Sequence, residues 1–562
     1  MIDFKDLVAS KISQITGLGK DDVQRHITIP PSTALGDYAF PCFIIAKANS
    51  RNPVELAKEL SARISAPEFE KVIPNGPYIN FFVKKGQLAD LVLKEIVKKK
   101  KKYGSMALKL NGLIEHTSVN PNASPHVGRA RNSIIGDSIA RILRFNGYKL
   151  KVHYYVNDIG KQIAMLVLAC KGKKNLKFED LLDLYVKINA ELESHPEIEQ
   201  KVFDLLKRLE DGDRGVRSQF SKVVRLCVKG QGKILSELGI KFDIYDHESR
   251  YLWEKKTEEV MRSLEKTNRV FVDEQGRYVL NLEGFDLAMK SPVFVLTRGD
   301  KTSLYGLRDL AYNIEKQELA GDRNIVVLGE DHKLYFQQVD AALSLIGLKA
   351  PEVVHYSFIL LESGKMSTRQ GNLVLLTEFM EQARLKAQNE IMSRAKDLVR
   401  EQLDVEQLSR SIGYGALKYH IIKVSPEKNV TFNWESALSF EGDSAPYIQY
   451  AHARICSILK KAVNVPIKAD FSLLTHPDEV ELVKTLSQFP DVSRRACIQL
   501  KPHLVASYLN LLAEQFNKFY HSCPILEADL KQRNARLILV SSVRQVLATG
   551  LDLIGVDAPK SM

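Results

Sequence analysis

The sequence predicts an α/β protein with a central parallel sheet, a small N-terminal α+β domain and a C-terminal all-α bundle. Between about residues 110 and 360, apolar β-rich runs such as "NIVVLGE" alternate with helical segments such as "YFQQVDAALSLIGL". That alternation is typical of parallel βαβ units. Before residue 92, the helical pattern "PVELAKELSARI" precedes the alternating segment "GPYINFFV", which indicates a mixed α+β unit. After about residue 375 the strand patterns disappear and helical patterns continue to the end.

Length and composition describe a large chain that can bury several cores. It has 562 residues, of which 45% are hydrophobic, enough for about three or four domains. We place the domain boundaries at residues 1–105, 106–374, 375–435 and 436–562, with a charged helical insertion in the second domain near 171–235. The 375–435 segment connects the sheet domain to the helical bundle.

Lys and Arg outnumber Asp and Glu by 80 to 68. This excess fits a polyanionic partner, and it fits ordinary solubility charge equally well. The N-terminus "MIDFKDLVAS" lacks a basic segment followed by an apolar one, and no run of about 18 apolar residues occurs. We therefore expect a cytoplasmic protein with no membrane partner. Its six scattered cysteines have no metal-like spacing and are expected to be reduced thiols.

The predicted elements of the sheet domain follow one another in a regular order. "LIEHTSV" is the first strand, "RARNSIIGDSIARILRF" the helix after it, and "LKVHYYVND" the next strand; "FVLTR", "NIVVLGE" and "EVVHYSFIL" continue the series. Just before it, the five lysines of "VKKKKKYG", from Lys98 to Lys102, indicate either a solvated helix end or a linker near phosphate.

The turn at residues 120–129, "NPNASPHVGR", joins the first strand to its helix. In an open parallel sheet such a turn is where ligands bind, and free N–H groups at the helix N-terminus attract phosphate. Gly128 lets a nucleotide approach the backbone, and His126 can donate a hydrogen bond to phosphoryl oxygens. Taken alone, the segment could equally be a structural turn with a satisfied histidine.

A second loop, "SGKMSTRQGN", follows the apolar run "YSFILL", which we take as the last strand of the sheet. It brings Lys365 and Arg369 together with small hydroxyl residues and two glycines. Cations on a mobile loop can close over a polyphosphate and neutralise developing charge. The alternative is an exposed polar loop.

Together, "HVGR" and "KMSTR" resemble the HIGH and KMSKS signatures of class I aminoacyl-tRNA synthetases, in matching order and element context. The resemblance extends over nearly the whole chain to the arginyl-tRNA synthetase family. "GDYAF" and "NGPYINFFV" resemble its N-terminal domain, "LYGLRDLAY" its arginine pocket, and "APYIQYAHARICSI" with "GLDLIGVDAPKSM" its anticodon-binding domain. The family implies a Rossmann-like catalytic domain and, usually, a monomer.

The resemblance also implies the reaction. Arginine attacks the α-phosphorus of ATP to give arginyl-adenylate and pyrophosphate, and the 3′ end of tRNA(Arg) then takes the arginyl group and releases AMP. Mg²⁺ accompanies ATP, no resident metal is implied, and the first step requires tRNA, a trait of the family. Catalysis would consist mainly of positioning and charge neutralisation. The catalytic residues implied are His126, Gly128, Arg129, Lys365 and Arg369; those that bind ATP are His126, Gly128, Arg129, Gly329, Lys365, Met366 and Ser367.

Recognition of arginine requires carboxylates and hydrogen-bond acceptors, because a guanidinium carries five donors in a planar fork. Tyr305 and Asp309 are four residues apart in a predicted helix and so share a face. By resemblance, Asp309 pairs with the guanidinium; the alternative is a salt bridge from Asp309 to a neighbour such as Arg308. The full set implied for arginine is Glu115, Asn120, His126, Tyr305, Asp309 and His332.

The outer domains would bind tRNA. A protein recognises single-stranded RNA through amide groups that hydrogen-bond to base edges and aromatic rings that stack on the bases. The residues that resemble the family's tRNA contacts are Asn75, Tyr78 and Asn80 for the D-loop, and Tyr447, Tyr450 and Met562 for the anticodon. A buried edge strand is the alternative for Tyr78, and a core position is the alternative for Tyr450.

Three positions depart from the family pattern. Arg129 replaces the second His of HIGH, Thr368 replaces the second Lys of KMSKS, and His332 stands where relatives have a Gln that helps bind arginine. The alternative functions are another class I synthetase, an adenylyl-forming ligase or nucleotidyltransferase that shares only the ATP site, and a non-catalytic tRNA-binding relative. Two outer domains argue against a small-substrate enzyme, and intact His126 and Asp309 argue against a non-catalytic one.

Overall fold

The computed structural model describes residues 4–28, 30, 35–122, 124–361, 364–365, 374–394 and 404–562. The N-terminal, central and C-terminal regions share a large apolar core, and part of the central region packs around a second one.

The N-terminal region is a mixed α+β unit, as predicted. Its three strands form an antiparallel sheet in the order β1-β3-β2. The Asn52 side chain caps the fourth helix of this region by accepting hydrogen bonds from the Val54 and Glu55 amides. Pro53, the first helical residue, has a fixed φ angle that suits a helix. The elements are α1 (Phe4–Thr16), α2 (Lys20–His26), β1 (Tyr38–Pro41), α3 (Phe43–Ala48), α4 (Pro53–Arg63), β2 (Phe69–Asn75), β3 (Tyr78–Val83) and α5 (Lys85–Lys99). The lysine run ends α5 and continues as a short 3₁₀ helix with exposed side chains, Lys100–Lys102.

The central region begins at Leu110 and alternates strands with helices up to Tyr356. Its elements are β4 (Leu110–Glu115), α6 (Val127–Phe145), β5 (Tyr148–Val156), α7 (Lys161–Cys170), α8 (Asp180–Ser194), α9 (Pro196–Glu210), α10 (Arg214–Glu237), β6 (Ile244–His247), α11 (Glu248–Trp253), α12 (Lys256–Glu265), β7 (Val270–Val272), β8 (Tyr278–Asn281), β9 (Val293–Val295), α13 (Tyr305–Ala320), β10 (Arg323–Gly329), α14 (Lys333–Leu345) and β11 (Glu352–Tyr356).

Five of these strands form the predicted parallel sheet, in the order β11-β10-β4-β5-β6. The order reverses between β4 and β10, so the chain leaves these neighbouring strands in opposite lateral directions. A crevice opens at such a switch point outside the carboxyl ends of the strands. Glu115 ends β4 and Gly329 ends β10, so both lie at this crevice.

The predicted series of strands missed β6, β7 and β8, and it was wrong in three further places. "FVLTR" forms β9, which pairs antiparallel with β8 in a separate β7-β8-β9 sheet. "YSFILL" supplies β12 (Ile359–Leu361), which also leaves the parallel sheet: it pairs with β13 (Gly364–Lys365) and with β14 (Val430–Phe432), a strand missed by the sequence analysis. Three-residue strands carry too little pattern to show which sheet they join.

The predicted insertion is helical and consists of α8, α9 and α10. These helices pack on one another and on α7, at the edge of the sheet beside β6. Asp213 caps α10 by accepting hydrogen bonds from Gly215 and Val216, which starts a helix of 24 residues.

The C-terminal region is a helical bundle whose buried faces join the main core. None of the helices within the described residues is long and apolar enough to cross a membrane. Its helices, with the connecting segment, are α15 (Leu376–Arg394), α16 (Val405–Ile422), α17 (Trp434–Leu438), α18 (Ala445–Lys461), α19 (Pro477–Gln499), α20 (His503–Ser522) and α21 (Leu530–Leu553).

Candidate active site

His126 is the N-cap residue of α6, at the end of the crevice beside β4. The helix begins at Val127, so the predicted turn is shorter than 120–129, and Gly128 and Arg129 belong to the first helical turn. The His126 side chain makes no capping hydrogen bond. Backbone contacts fix the start of the helix instead. His126 forms an antiparallel β-bridge with Leu375, and the Val127 amide donates to the Val374 carbonyl at 3.0 Å.

The His126 ring is partly buried, and its Nδ1 has no hydrogen-bond partner among the described residues. Burial, with a smaller contribution from the nearby Arg129 charge, lowers the pKa of His126 to about 4. The imidazole is therefore neutral at pH 7 and can donate one hydrogen bond to an anionic oxygen. Arg129 makes no ion pair within the described part of the chain, so a cation stands free beside this donor.

Arg131 connects this helix to the strand pair that carries Lys365. Its guanidinium is fully buried and donates to four carbonyl oxygens: those of Ser357 (2.6 Å), Phe358 (3.2 Å), Ser425 (3.2 Å) and Lys428 (2.6 Å). Ser357 and Phe358 directly precede β12. Burial lowers the pKa of Arg131 to about 10, which still leaves it charged at pH 7.

The "KMSTR" loop is described only at its first residue. The backbone of Lys365 lies in β13 and pairs with Leu360 of β12. The predicted residues Met366, Ser367 and Arg369, and the departure at Thr368, lie outside the described residues.

Asp309 lies in the first turns of α13, on the same face as Tyr305, as the spacing predicts. Its carboxylate accepts hydrogen bonds from Tyr335 (2.8 Å) and Asn313 (3.1 Å). Arg308 pairs with Glu248 (2.6 Å) and not with Asp309. No other described residue forms an ion pair with Asp309. The alternative salt bridge to Arg308 is therefore wrong. Burial raises the pKa of Asp309 above its usual range, against the opposing charge of Lys316.

Aromatic rings surround this carboxylate. The exposed ring of Tyr305 lies 4.8 Å from that of Tyr335, and Tyr155 stacks on Tyr312 at 4.5 Å. The Tyr155 hydroxyl is buried without a hydrogen-bond partner and lies within electrostatic range of Asp309. Tyr155 and Tyr335 were missed by the sequence analysis, because they lie on a strand and a helix far from Asp309 in sequence.

Glu115, at the end of β4, belongs to the same cluster but already has partners. Lys316 donates to one of its oxygens at 2.5 Å and Ser118 to the other at 3.0 Å. Both members of the ion pair are buried, so Glu115 is half of a fixed pair rather than a free carboxylate. Its charge also helps to raise the pKa of Asp309.

The remaining predicted site residues lie around the crevice. The Asn120 amide donates to Gln162 at 2.9 Å. Gly329 ends β10 and is followed by a 3₁₀ helix, Glu330–His332. His332 is partly exposed, and its charge opposes the rise in the pKa of Asp309.

Beside Tyr305 is a cavity of about 210 Å³, called here the Tyr305 cavity. Arg308, Asn157, Ile159 and Glu210 also line it. Among the described residues, no group of three or more His, Cys, Asp or Glu side chains could hold a metal ion.

Sequence comparison places this geometry in a known context. Residues 92–434 match the family described as "tRNA synthetases class I (R), catalytic domain", residues 448–562 the "DALR anticodon binding domain", and residues 3–83 the "Arginyl tRNA synthetase N terminal domain". The arginine–tRNA ligase of Methanocaldococcus jannaschii is 40% identical over 551 residues, covering 95% of each chain. This chain belongs to the arginyl-tRNA synthetase family.

Other relatives agree with that assignment. The arginine–tRNA ligase of Methanosarcina barkeri is 39% identical over 562 residues, covering 98% of this chain and 97% of its own. The Thermus thermophilus arginyl-tRNA synthetase structure matches all of both chains, with a TM-score of 0.85 at 28% identity. The predicted fold class, a Rossmann-like catalytic domain between an α+β unit and a helical bundle, is confirmed.

The residues that resemble the synthetase family's D-loop contacts are only partly on the surface. Tyr78 is 37% exposed and packs edge-on against the exposed Phe43 at 5.8 Å. It lies on β3, the central strand of its sheet, so the buried edge-strand alternative is wrong. Asn75 is exposed, whereas Asn80 is buried and its Oδ1 has no hydrogen-bond partner.

The residues that resemble the family's anticodon contacts also differ in their exposure and position. Tyr450 is exposed on α18, with Arg454 over its ring at 4.7 Å, so the core alternative is wrong. Tyr447 is partly buried. Met562 packs against a separate cluster formed by α15 and α16.

Proposed function

We propose that this chain is an arginine–tRNA ligase that activates L-arginine with ATP and transfers it to the 3′ end of tRNA(Arg). The observation that carries the proposal is the Asp309 carboxylate. It lies on α13 near the switch point of the sheet, is oriented by Tyr335 and Asn313, and forms no ion pair with a described residue. A substrate guanidinium supplies the missing cation and can bond bidentately to the carboxylate.

ATP would bind at the start of α6. The helix N-terminus attracts phosphate, the neutral His126 donates a hydrogen bond, and Arg129 adds a cation in place of the second histidine of HIGH. Lys365 and Arg369 are proposed to approach from the opposite loop, with Gly329, Met366 and Ser367 beside the nucleotide. Mg²⁺ would arrive bound to ATP and bridge its phosphates.

The amino acid would lie between these two sites. Asp309 pairs with the guanidinium, and the Tyr305 and Tyr155 hydroxyls complete its hydrogen bonds. Asn120 and His332 face the polar groups of the substrate. The Glu115–Lys316 pair holds the end of β4 against α13 and so fixes the distance between Asp309 and the phosphate site.

The tRNA would contact both outer regions, with Asn75 and Tyr78 at the D-loop and Tyr447 and Tyr450 at the anticodon. An exposed ring flanked by Arg454 suits stacking of an unpaired base. Asn80 and Met562, which lie inside the fold or in another cluster, are proposed to support these surfaces from behind. The chain is expected to act as a monomer.

A charging assay tests this function. Purified protein is incubated with ATP, Mg²⁺ and labelled arginine, with and without tRNA, and arginyl-tRNA is measured. Labelled tRNA is the expected product. No charging would contradict the proposed function, and adenylate formation in the absence of tRNA would contradict the expected tRNA requirement of the first step.

A further inference from the structure

Ser357 lies where the chain leaves the parallel sheet and enters β12. It follows Tyr356, the final residue of β11, and only Phe358 separates it from Ile359, the first residue of β12. Ser357 is 5% exposed. Because the chain passes from one sheet to another here, the contacts of this residue decide the direction of β12.

Both backbone polar groups of Ser357 are hydrogen-bonded to other segments. Its amide donates to the Pro426 carbonyl at 2.9 Å, and its carbonyl accepts from the buried Arg131 guanidinium of α6 at 2.6 Å. Ser357 therefore joins the helix of the proposed phosphate site to the loop that precedes β14.

The Ser357 hydroxyl adds a third connection. It contacts the Glu330 carboxylate and lies 2.7 Å from the Glu427 carbonyl oxygen. Glu330 is exposed and directly follows Gly329, the residue that ends β10 at the crevice of the parallel sheet. The hydroxyl therefore connects the edge of the proposed nucleotide site to the start of β12.

The strand that follows Ser357 pairs with the backbone of Lys365. Leu360 of β12 pairs with Lys365 of β13, and residues 359–361 pair with residues 430–432 of β14. Leu360 lies three residues after Ser357, a span of at most about 10 Å of extended chain. A shift of the chain at Ser357 would therefore displace the backbone of Lys365.

We propose that the contact between the Ser357 hydroxyl and the Glu330 carboxylate positions Lys365 for the activation of arginine. The contact holds β12 and β13 at a fixed distance from the nucleotide site beside Gly329. This inference rests on the proposed function, because Lys365 has its role there. Ser357 acts through Lys365 and is a positioning residue, not a catalytic one.

Removal of the hydroxyl tests the proposal. Ser357→Ala should slow single-turnover formation of arginyl-adenylate, measured with tRNA present, by about 10- to 100-fold, because a misplacement of about 1 Å can cost that much. The KM for arginine should stay near its wild-type value, and Ser357→Thr, which keeps a hydroxyl, should restore most of the rate. The matched control is Ser425→Ala, which removes a hydroxyl that bonds to the Glu427 carboxylate instead and should keep the wild-type rate.

A double-mutant cycle shows whether Ser357 acts through Lys365. The rate of adenylate formation is measured for the wild type, Ser357→Ala, Lys365→Ala and the double variant. Once the lysine side chain is gone, Ser357→Ala should have little further effect. An equal loss in both backgrounds would overturn the proposal, because the hydroxyl would then act on another group or on the fold as a whole.

Glu330→Ala gives a second route to the same contact from its exposed side, should Ser357→Ala fail to fold. It should slow adenylate formation in the same way, and this loss should also disappear in the Lys365→Ala background. A wild-type rate for Glu330→Ala would contradict the proposal. Arginylation by the wild-type protein is measured alongside: an inactive wild type contradicts the proposed function, whereas an active wild type with a fully active Ser357→Ala or Glu330→Ala contradicts this inference alone.

Discussion

Asp309 carries the charge that we expect to select arginine. Tyr335 and Asn313 orient its carboxylate, and burial raises its pKa against the opposing charge of Lys316. A guanidinium that arrives there removes the penalty of a buried, unpaired charge, whereas a neutral amino acid leaves the penalty in place. Selectivity at this residue therefore comes as much from rejection of uncharged side chains as from attraction of arginine.

Asp309→Asn should raise the KM for arginine while leaving the KM for ATP near its wild-type value. The amide keeps the shape of the side chain but loses a charged hydrogen bond worth about 1.5–3 kcal/mol, roughly a 10- to 150-fold effect. Steady-state arginylation kinetics measure it, with Glu318→Gln, an exposed carboxylate on the same helix, as control. An unchanged KM for arginine would remove Asp309 from the site.

His126 should titrate far below the ordinary value for histidine. Its pKa of about 4 means that the neutral form is favoured in the folded protein, so the stability it contributes is present above about pH 6.5 and is lost as the pH falls towards 4. Nuclear magnetic resonance of the ring protons, assigned with His126→Gln, measures the midpoint. A midpoint near 6.5 would contradict the desolvation of the His126 ring by burial.

Catalysis gives a second test of His126. His126→Ala removes one hydrogen-bond donor from the developing phosphate charge, which typically costs about 10²- to 10³-fold in rate. Single-turnover adenylate formation with tRNA present should show this loss, with little change in thermal stability. A loss of less than about threefold would place His126 outside the reacting phosphates.

At the scale of elements, α6 approaches β4 closely because of one glycine. A Cβ on Gly136 would lie 2.2 Å from Cγ of the His116 ring, which is buried to 1% exposure. Helix α6 carries His126 at its start and Arg131 one turn later, so this close contact sets the position of the proposed phosphate site relative to the sheet.

Gly136→Ala should therefore destabilise the protein by about 1–3 kcal/mol, the usual cost of overpacking. Gly232→Ala in α10 is the matched control: its Cβ would meet only the Tyr245 hydroxyl, at an ordinary 3.6 Å, and alanine favours a helix by about 0.8–1.0 kcal/mol. Urea unfolding followed by circular dichroism compares the two. A Gly136→Ala protein as stable as wild type would contradict the close packing of α6 on β4.

Elements with long patterns could be predicted from the sequence, and short ones could not. The inserted helices and the C-terminal bundle follow from helical periodicity, and four strands of the parallel sheet follow from their apolar runs, whereas the four-residue β6 was missed. Strands β9, β12 and β14 have three residues each, and only tertiary pairing decides which sheet they join.

The same distinction applies to the site. Tyr305 and Asp309 are related by helical spacing, so sequence could place them on one face. Tyr335 lies 26 residues from Asp309, and Lys316 lies 201 residues from Glu115. No periodic pattern connects such pairs, and the role of Arg131 as a link between four carbonyls is invisible until the chain is folded.

At the scale of the whole molecule, hydrogen bonds connect the end of the C-terminal bundle to α6, the helix that begins at the proposed phosphate site. Ser138 of α6 donates to the Leu553 carbonyl at 3.0 Å, and Lys418 donates to that of Gly555 at 2.5 Å. On α18, the helix that carries Tyr450, Gln449 donates to the Asp557 carbonyl at 2.9 Å. The proposed anticodon surface and α6 therefore contact the same C-terminal segment.

The identity of the amino acid attached to tRNA tests the proposed function most directly. The protein is incubated with ATP, Mg²⁺, an arginine-accepting tRNA and all twenty amino acids in competition, and the aminoacyl group is identified by mass spectrometry after hydrolysis. Arginine alone should be recovered from wild type, and Asp309→Asn should give much less of it. A different amino acid on the tRNA, or none, would contradict the assignment of Asp309 and His126 to one arginine-activating site.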